Sequence, residues 1–324
     1  MPIWSGISQE IALLRDKGDK SAQDTVRRSY LQKLHDYTGR NVILYAVPFT
    51  LGVPYPPGVM QVSNEDIQGL MEVVHGLPKE PTDLIIHSPG GSSEAAEGIV
   101  MYLHEQYPSI RAIVPQMAMS AATMIACGAE QIVMGKHSNL GPIDPQVAVG
   151  PGQYAPAQAI IDQFEMAIKK SVQPGLEAWG AMLRVYAPAL IVCCREQIDL
   201  SKMLVRKWLR RWMFAGDKDG ARKARKIANF LASHKTHLTH ARHIFRDQLT
   251  GLDMNICKLE KDSQLQDLVL SVFHATTLTF MHSSAVKIIE NHQGKAYVTM
   301  IQMPGFSPPA PSSPKVPNPP QSPT

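Results

Sequence analysis

Two short stretches of this chain carry residues whose types and spacing could act on a carbonyl group. In the first, Ser88-Pro89-Gly90-Gly91, paired glycines let main-chain N–H groups face a ligand without an intervening side chain. The second centres on Ser120, which stands among small residues at the predicted start of a helix. There the hydroxyl oxygen could attack a carbonyl carbon. The N–H of Ala121, at the positive end of the helix dipole, would receive the developing negative charge.

Each stretch also has a purely structural interpretation. The glycines could form an ordinary turn between a strand and a helix, and Ser120 could be a helix N-cap. A phosphate site is disfavoured because the turn lacks a following Gly-Lys-Ser/Thr and the Gly-x-Gly-x-x-Gly spacing. Ser120 follows Gly90 by 30 residues, one predicted helix and one predicted strand later, so both should lie at the same edge of a parallel sheet. That proximity favours a joint reaction site.

The elements that would position this site alternate between strand and helix with short connections. This pattern predicts an α/β fold with a parallel sheet and right-handed crossovers. The predicted strands are 41–47, 83–88, 110–114 and 131–134, and the predicted helices between them are 63–76, 92–103 and 120–127. Helical patterns dominate the second half, at about 156–171, 176–214, 218–233, 240–249 and 263–282, with short late strands at 285–290 and 296–302.

The same patterns divide the chain into four parts. Residues 1–40 are predicted to be an N-terminal helical arm, and residues 41–150 the α/β core. Residues 151–303 would complete the same domain with helices, some of them for oligomerisation. In 304–324 nine of 21 residues are proline, which predicts a disordered, partly polyproline tail.

The composition predicts an ordinary globular protein of the cytoplasm. The 324 residues are 44% hydrophobic, enough for a packed core, yet no apolar run of about 18 residues or more could span a bilayer. The N-terminus mixes acidic and basic residues and does not have the pattern of a signal peptide. The four cysteines match no zinc spacing and are interpreted as reduced thiols, and neither a metal nor a cofactor is expected.

Taken together, the motifs resemble a known superfamily. The turn SPGG, the small-residue serine motif about 30 residues later, an IVM strand and SNLGPIDPQ are similar to the Clp protease and crotonase superfamily. They are closest to its signal peptide peptidase A-like branch, and within that to the serine dehydrogenase proteinase family. The resemblance covers 41 to about 150, and more loosely THLTHARHIFRDQLTGLDM and LQDLVLSVFHATTLTF.

The resemblance implies a spiral of ββα units and a homo-oligomer. It also implies that Ser120 is the nucleophile and that the N–H groups of Gly90 and Ala121 form the oxyanion hole. Gly91 and Ser92, beside the turn, become candidate substrate-binding residues. Ala122 departs from the family pattern, in which a glycine is frequent at this position.

Related peptidases use either a histidine or a lysine as the general base. Clp-type peptidases have a histidine where this chain has Ile143, with Asp144 beside it. The signal peptide peptidase branch uses a lysine kept neutral by burial. Lys169 or Lys170, 49 and 50 residues after Ser120, is therefore the candidate base, although both could simply be a solvated helix end.

Two other groups of residues have types and spacing that could bind a ligand or a surface. His234, His237, His240 and His243 recur every three residues, but a continuous helix would place the first and last on opposite sides, so surface or core histidines are favoured over a metal site. The segment 202–226 has ten Lys or Arg against two Asp. It could touch an anionic membrane surface peripherally, although an apolar face for subunit packing with a solvated basic face is favoured. No specific nucleic-acid binding is predicted.

These observations predict a serine peptidase that acts on a peptide or protein through an acyl-Ser120 intermediate and a Ser-Lys dyad. Two alternatives belong to other classes. One is a non-catalytic scaffold that holds peptide at the glycine turn. The other is a crotonase-type acyl-CoA enzyme, in which the N–H pair would hold a thioester enolate and acid–base work would need a carboxylate. Asp144 is the nearby candidate for that role.

Overall fold

The computed structural model describes residues 4–301, except 54, 57, 151, 171–179, 181–183 and 185. The predicted proline-rich tail therefore lies outside the described residues. The helices are α1 (Trp4–Asp16), α2 (Ala22–Thr38), α3 (Asp66–Val74), α4 (Ser93–Gln106), α5 (Ala121–Cys127), α6 (Ala157–Lys170), α7 (Leu190–Arg211), α8 (Gly220–Leu231), α9 (His234–His237), α10 (Arg246–Thr250) and α11 (Ser263–Met281). The strands are β1 (Asn41–Ala46), β2 (Thr82–His87), β3 (Ile110–Val114), β4 (Met117–Ala118), β5 (Gln131–Met134), β6 (Asn139–Leu140), β7 (Gln146–Gly150), β8 (Gln153–Pro156), β9 (Ile244–Phe245), β10 (Ile256–Lys258), β11 (Ala285–Asn291) and β12 (Ala296–Met300).

The main sheet has seven strands in the order β10-β5-β3-β2-β1-β11-β12. The first five run parallel, and β11 and β12 extend the sheet antiparallel beside β1. Every residue of β1 and β2 is buried, which explains why these strands appear in the sequence as continuous apolar runs. The predicted α/β fold with a parallel sheet is confirmed.

Helices cover both faces of this sheet. Val42 and Leu44 of β1 pack in one cluster with α2 and α11, while Ile43 and Tyr45 pack on the opposite face with α3, α4, α5, α7 and α8. A small sheet, β4-β6-β9, lies beside the main sheet and holds the residues that follow the carboxyl ends of β3 and β5. This small sheet frames the candidate site.

The second half contains strands that were not predicted. β7 and β8 form an antiparallel hairpin, β9 joins the small sheet, and β10 forms an edge of the main sheet. The helix predicted over 240–249 is wrong in its first part, because residues 240–243 form a turn and an irregular link before β9 and α10. Within the described ranges, no helix is both long enough and apolar enough to cross a bilayer.

Candidate active site

Ser120 stands on a strained turn between a strand and a helix. It follows β4 and is the N-cap of α5, with φ 51° and ψ −120°, and it is one of four described non-glycine residues with positive φ. Its side chain makes no capping hydrogen bond. The hydroxyl is therefore not used as a helix cap, and such a turn lifts a serine hydroxyl clear of the strand edge.

The glycine turn is fixed directly beside Ser120. The N–H of Ser88 donates to the carbonyl of Met117, and the N–H of Met119 donates back to the carbonyl of Ser88 at 2.9 Å. A Cβ at Gly90 would lie 2.4 Å from the carbonyl oxygen of Met119 and 2.7 Å from the nitrogen of Ala121. Only glycine permits this approach, so the two predicted stretches do meet at one edge of the sheet.

The main-chain N–H groups near Ser120 differ in their partners. The N–H of Gly90 donates to the hydroxyl oxygen of Ser88 at 3.1 Å, so this predicted oxyanion donor is already engaged. Across the part of the chain that the structure describes, the N–H groups of Gly91 and Ala121 donate no hydrogen bond. Gly91 is held from its other side, where the N–H of Val62 donates to the carbonyl of Gly90 and the N–H of Ser92 donates to that of Val62.

A buried ion pair supports the segment that contains Val62. The ammonium of Lys287 donates to Asp66 Oδ1 at 2.5 Å and to the carbonyl of Gln61 at 2.8 Å. The hydroxyl of Tyr45 donates to Asp66 Oδ2 at 2.8 Å, and burial raises the pKa of that phenol well above its usual value. Lys287 and Asp66 are 4% and 2% exposed. The ion pair between Lys287 of β11 and Asp66 at the start of α3 thus holds the segment that aligns the glycine turn.

These groups open into a cavity of about 690 Å³. Ser120, Gly90, Gly91 and Ser92 are among its lining residues. Apolar side chains contribute much of the remaining wall, among them Met60, Met124, Ile143 and Leu200. Glu94 is the carboxylate on this wall, and it accepts a hydrogen bond from the Ser92 hydroxyl at 2.7 Å.

The cavity also contains a histidine that the sequence patterns did not assign to it. His240 lines the wall, and its Nδ1 lies 2.8 Å from Oδ1 of Asp144, which is 2% exposed. The carboxylate accepts from the imidazole Nδ1–H, which leaves Nε2 for a proton from another group. Within the described chain no direct hydrogen bond joins His240 to Ser120. Uncomplexed acid–base sites often have such loose geometry.

Asp144 has further contacts that fix its position. Nδ1 of His234 lies 3.3 Å from Oδ2, and the amide of Gln146 donates to the same oxygen at 3.1 Å. A carboxylate held in this way can orient an imidazole without itself moving. No group of three or more His, Cys, Asp or Glu side chains among the described residues is arranged to hold a metal ion.

Lys169, one of the two lysines proposed as the base, does not line this cavity. Lys169 is exposed on α6, and the side chain of Lys170 lies outside the described residues. The cavity has no lysine among its described lining residues. Ile143 occupies the place of the Clp-type histidine and Asp144 follows it, and the sequence patterns did not connect Asp144 with His240.

Comparisons with known proteins identify a family that this chain resembles. Residues 20–175 match the sequence model of a family described as ClpP-like SDH-type serine proteinases. Two uncharacterized proteins of Methanocaldococcus jannaschii are related. One is 32% identical over 175 residues, 53% of this chain and 51% of that protein. The other is 41% identical over 105 residues, 32% of this chain and 35% of that protein.

The chain thus spans about half the length of one curated relative and about a third of the other. A solved structure, a mutant of the 1510-N membrane-bound stomatin-specific protease, is 19% identical, with 37% of this chain and 63% of that chain covered and a TM-score of 0.25. That score carries no argument about this chain. The predicted resemblance is confirmed by the match of residues 20–175 to the model of the ClpP-like SDH-type serine proteinase family.

Proposed function

We propose that this protein is a serine peptidase in which Ser120 is the nucleophile, His240 the general base and Asp144 the residue that orients it. The observation that carries the proposal is that Ser120, on its strained turn, shares one cavity with a histidine whose Nδ1 is held by a buried carboxylate. The match of residues 20–175 to the model of a serine proteinase family supports the same chemistry.

The proposed reaction uses each group once. The Ser120 oxygen attacks the peptide carbonyl carbon while its proton passes to Nε2 of His240. The carbonyl oxygen becomes negatively charged and accepts hydrogen bonds from the free N–H groups of Gly91 and Ala121. When the carbon–nitrogen bond breaks, His240 returns the proton to the leaving amine. Water then attacks the acyl carbon while His240 takes its proton, the bond between this carbon and the Ser120 oxygen breaks, and His240 returns the proton to that oxygen.

Gly91 replaces Gly90 as oxyanion donor in this proposal because the N–H of Gly90 is engaged by Ser88. His240 likewise takes the role that the sequence patterns gave to Lys169 or Lys170. The Ser-Lys dyad remains the rival arrangement of the same chemistry.

A second candidate function is a peptide-binding scaffold without turnover. It is favoured by one observation, namely that no hydrogen bond joins Ser120 and His240 among the described residues. The acyl-CoA alternative gains no such support, because the carboxylate of Asp144 is buried and is hydrogen-bonded to His240.

We also propose that the protein forms the homo-oligomer that the resemblance implies. Large apolar side chains are exposed on the β7–β8 hairpin and α6: Val149 at 51%, Tyr154 at 61% and Met166 at 49%. Light scattering of the purified protein would give a multiple of the 35.7 kDa chain mass. A single-chain mass at micromolar concentration would reject the oligomer.

A fluorophosphonate probe tests the main proposal. Phosphonylation should occur at Ser120, disappear in Ser120→Ala and slow strongly in His240→Ala. Peptide mapping of the adduct locates the site. If a correctly folded protein takes no label at Ser120, the hydrolase proposal fails and the scaffold is favoured.

A further inference from the structure

A second cavity, of about 570 Å³, lies between α7 and α8 and is strongly cationic. We call it the basic groove. Its lining consists of Met203, Arg206, Lys207, Arg210 and Arg211 from α7, with Ala221 and Arg225 from α8. Five of the seven lining residues are therefore cations, and four of these are arginines, whose planar guanidinium groups bind carboxylates and phosphates through two parallel hydrogen bonds.

The apolar sides of these helices are not available to a membrane or to another subunit. Leu204, Trp208 and Leu209 of α7 are at most 1% exposed, and Ile227 and Leu231 of α8 are fully buried in the core of this chain. An interfacial helix must place its apolar face in the lipid, and here that face is already covered. The exposed part of the segment 202–226 is its basic face together with Met203.

In the described part of the chain, no acidic side chain forms an ion pair with the cations that line the basic groove. Among the described residues, Arg206, Lys207, Arg210 and Arg225 take part in no ion pair, while Asp217 and Asp219 are paired with Lys223 and Arg222. The sequence contains no Asp or Glu between Asp199 and Asp217, or between Asp219 and Asp247. Like charges four residues apart, such as Arg206 and Arg210, destabilise a helix. An anionic ligand would relieve this repulsion.

The same helix connects the basic groove with the proposed active site. The N-terminal half of α7 lines the Ser120 cavity with Gln197, Leu200 and Ser201. Lys207 follows Leu200 by seven residues. Around the helix axis the two residues are therefore about 20° apart, and along the axis they are about 10.5 Å apart. An extended peptide covers that distance in roughly three residues.

We propose that the basic groove is an exosite that binds an acidic segment of the peptide or protein substrate, a few residues from the bond that is cleaved at Ser120. This inference rests on the proposed peptidase function. Continuity along α7 favours a substrate segment over a separate partner. Lipid and nucleic acid are less suited, since Trp208 is buried and Trp212 is stacked on His104 at 3.7 Å, so neither indole is free to insert or to stack on bases.

Binding can be measured without turnover in Ser120→Ala. Two fluorescent peptides of equal length are compared, one with a run of Asp and Glu and one with Asn and Gln at the same positions. The acidic peptide should bind about tenfold more tightly at low salt, with the difference shrinking as salt rises. The double substitution Arg206→Glu and Arg210→Glu should abolish the difference.

The matched control is Lys17→Glu with Lys20→Glu, the same change in charge at exposed cations of the α1–α2 connection. Equal affinity for the two peptides, or an acidic preference that survives the groove substitution, overturns the proposal. So does a result in which anionic phospholipid vesicles or single-stranded DNA bind through the groove and the acidic peptide does not.

Different results would reject the exosite proposal and the peptidase proposal. In the active protein, the groove substitution should lower kcat/KM for the acidic substrate by about tenfold and leave the neutral substrate unchanged. If Ser120 takes no fluorophosphonate but the acidic peptide still binds the groove, the peptidase fails and the exosite stands. If both substrates are cleaved equally by the wild-type protein and by the groove variant, the exosite fails alone.

Discussion

Nδ1 of His240 lies 2.8 Å from the carboxylate of Asp144, although 96 residues of sequence separate the two. One comes from the link between α9 and β9, and the other follows β6, to which β9 is paired. The small sheet therefore brings together the two residues that, in the proposed reaction, carry and orient the proton.

Substitution of each candidate base should distinguish the proposed Ser120–His240–Asp144 site from the rival Ser-Lys dyad. His240→Ala is expected to lower kcat/KM by about 10²–10⁴-fold, and Asp144→Asn by a comparable factor, because the imidazole loses its function or its orientation. Lys169→Ala and Lys170→Ala should retain activity close to that of the wild-type protein. Steady-state kinetics on a fluorogenic peptide decides the matter. The reverse ranking would restore a lysine as base.

The glycine turn should not tolerate a methyl group. Gly90 has φ 92°, and a Cβ would approach main-chain atoms of Met119 and Ala121 to within 2.7 Å, so Gly90→Ala should destabilise the fold by about 2–4 kcal/mol and abolish labelling. Urea denaturation measures the first effect. Gly6→Ala is the control, because nothing lies within 4 Å of the added methyl group. Similar losses in both variants would contradict the steric explanation.

Removing one member of the ion pair between Lys287 and Asp66 should destabilise the protein more than removing both. Lys287→Met leaves the carboxylate of Asp66 buried without a counter-charge, which should cost about 3–5 kcal/mol of the free energy of unfolding. Adding Asp66→Asn should recover part of that loss. The exposed pair Arg222–Asp219 is the comparison, and Asp219→Asn should have little measurable effect. Full additivity of Lys287→Met and Asp66→Asn would show that the two side chains do not interact.

Acid should destabilise the protein through its buried histidines. Burial lowers the pKa of His87 to about 3, whereas an unfolded histidine titrates near 6.5. Between these values the unfolded state binds the extra proton, so the stability contributed by neutral His87 is present above pH 6.5 and is lost as the pH falls toward 3.

The substitution His87→Gln should therefore reduce the slope of unfolding free energy against pH in that window, by at most about 1.4 kcal/mol per pH unit. Urea denaturation at several pH values between 4 and 7 measures the slope. His75→Gln, at an exposed position, should leave it unchanged. An identical slope for wild-type protein and His87→Gln would reject the role of His87.

The sequence patterns predicted the buried strands and the place where the glycine turn meets Ser120. β1 and β2 were visible because both faces of each strand are buried, and the meeting of Gly90 with Ser120 followed from the order of parallel strands. The link between His240 and Asp144 was not visible, because the two-residue strands β6 and β9 that create it have no periodicity to detect. The regular spacing of the four histidines also suggested a helix where the chain turns.

The pairing of β9 with β6 has a consequence for the order in which this protein can become active. Ser120 and the glycine turn belong to the first half of the chain, but the proposed base arrives only with residue 240, and β11, which lies between β1 and β12, arrives after that. A growing polypeptide on the ribosome therefore has its nucleophile long before it has its base. In the proposed reaction a nascent chain that ends before β9 therefore has the nucleophile but lacks the pairing with β6 that brings the base to Asp144.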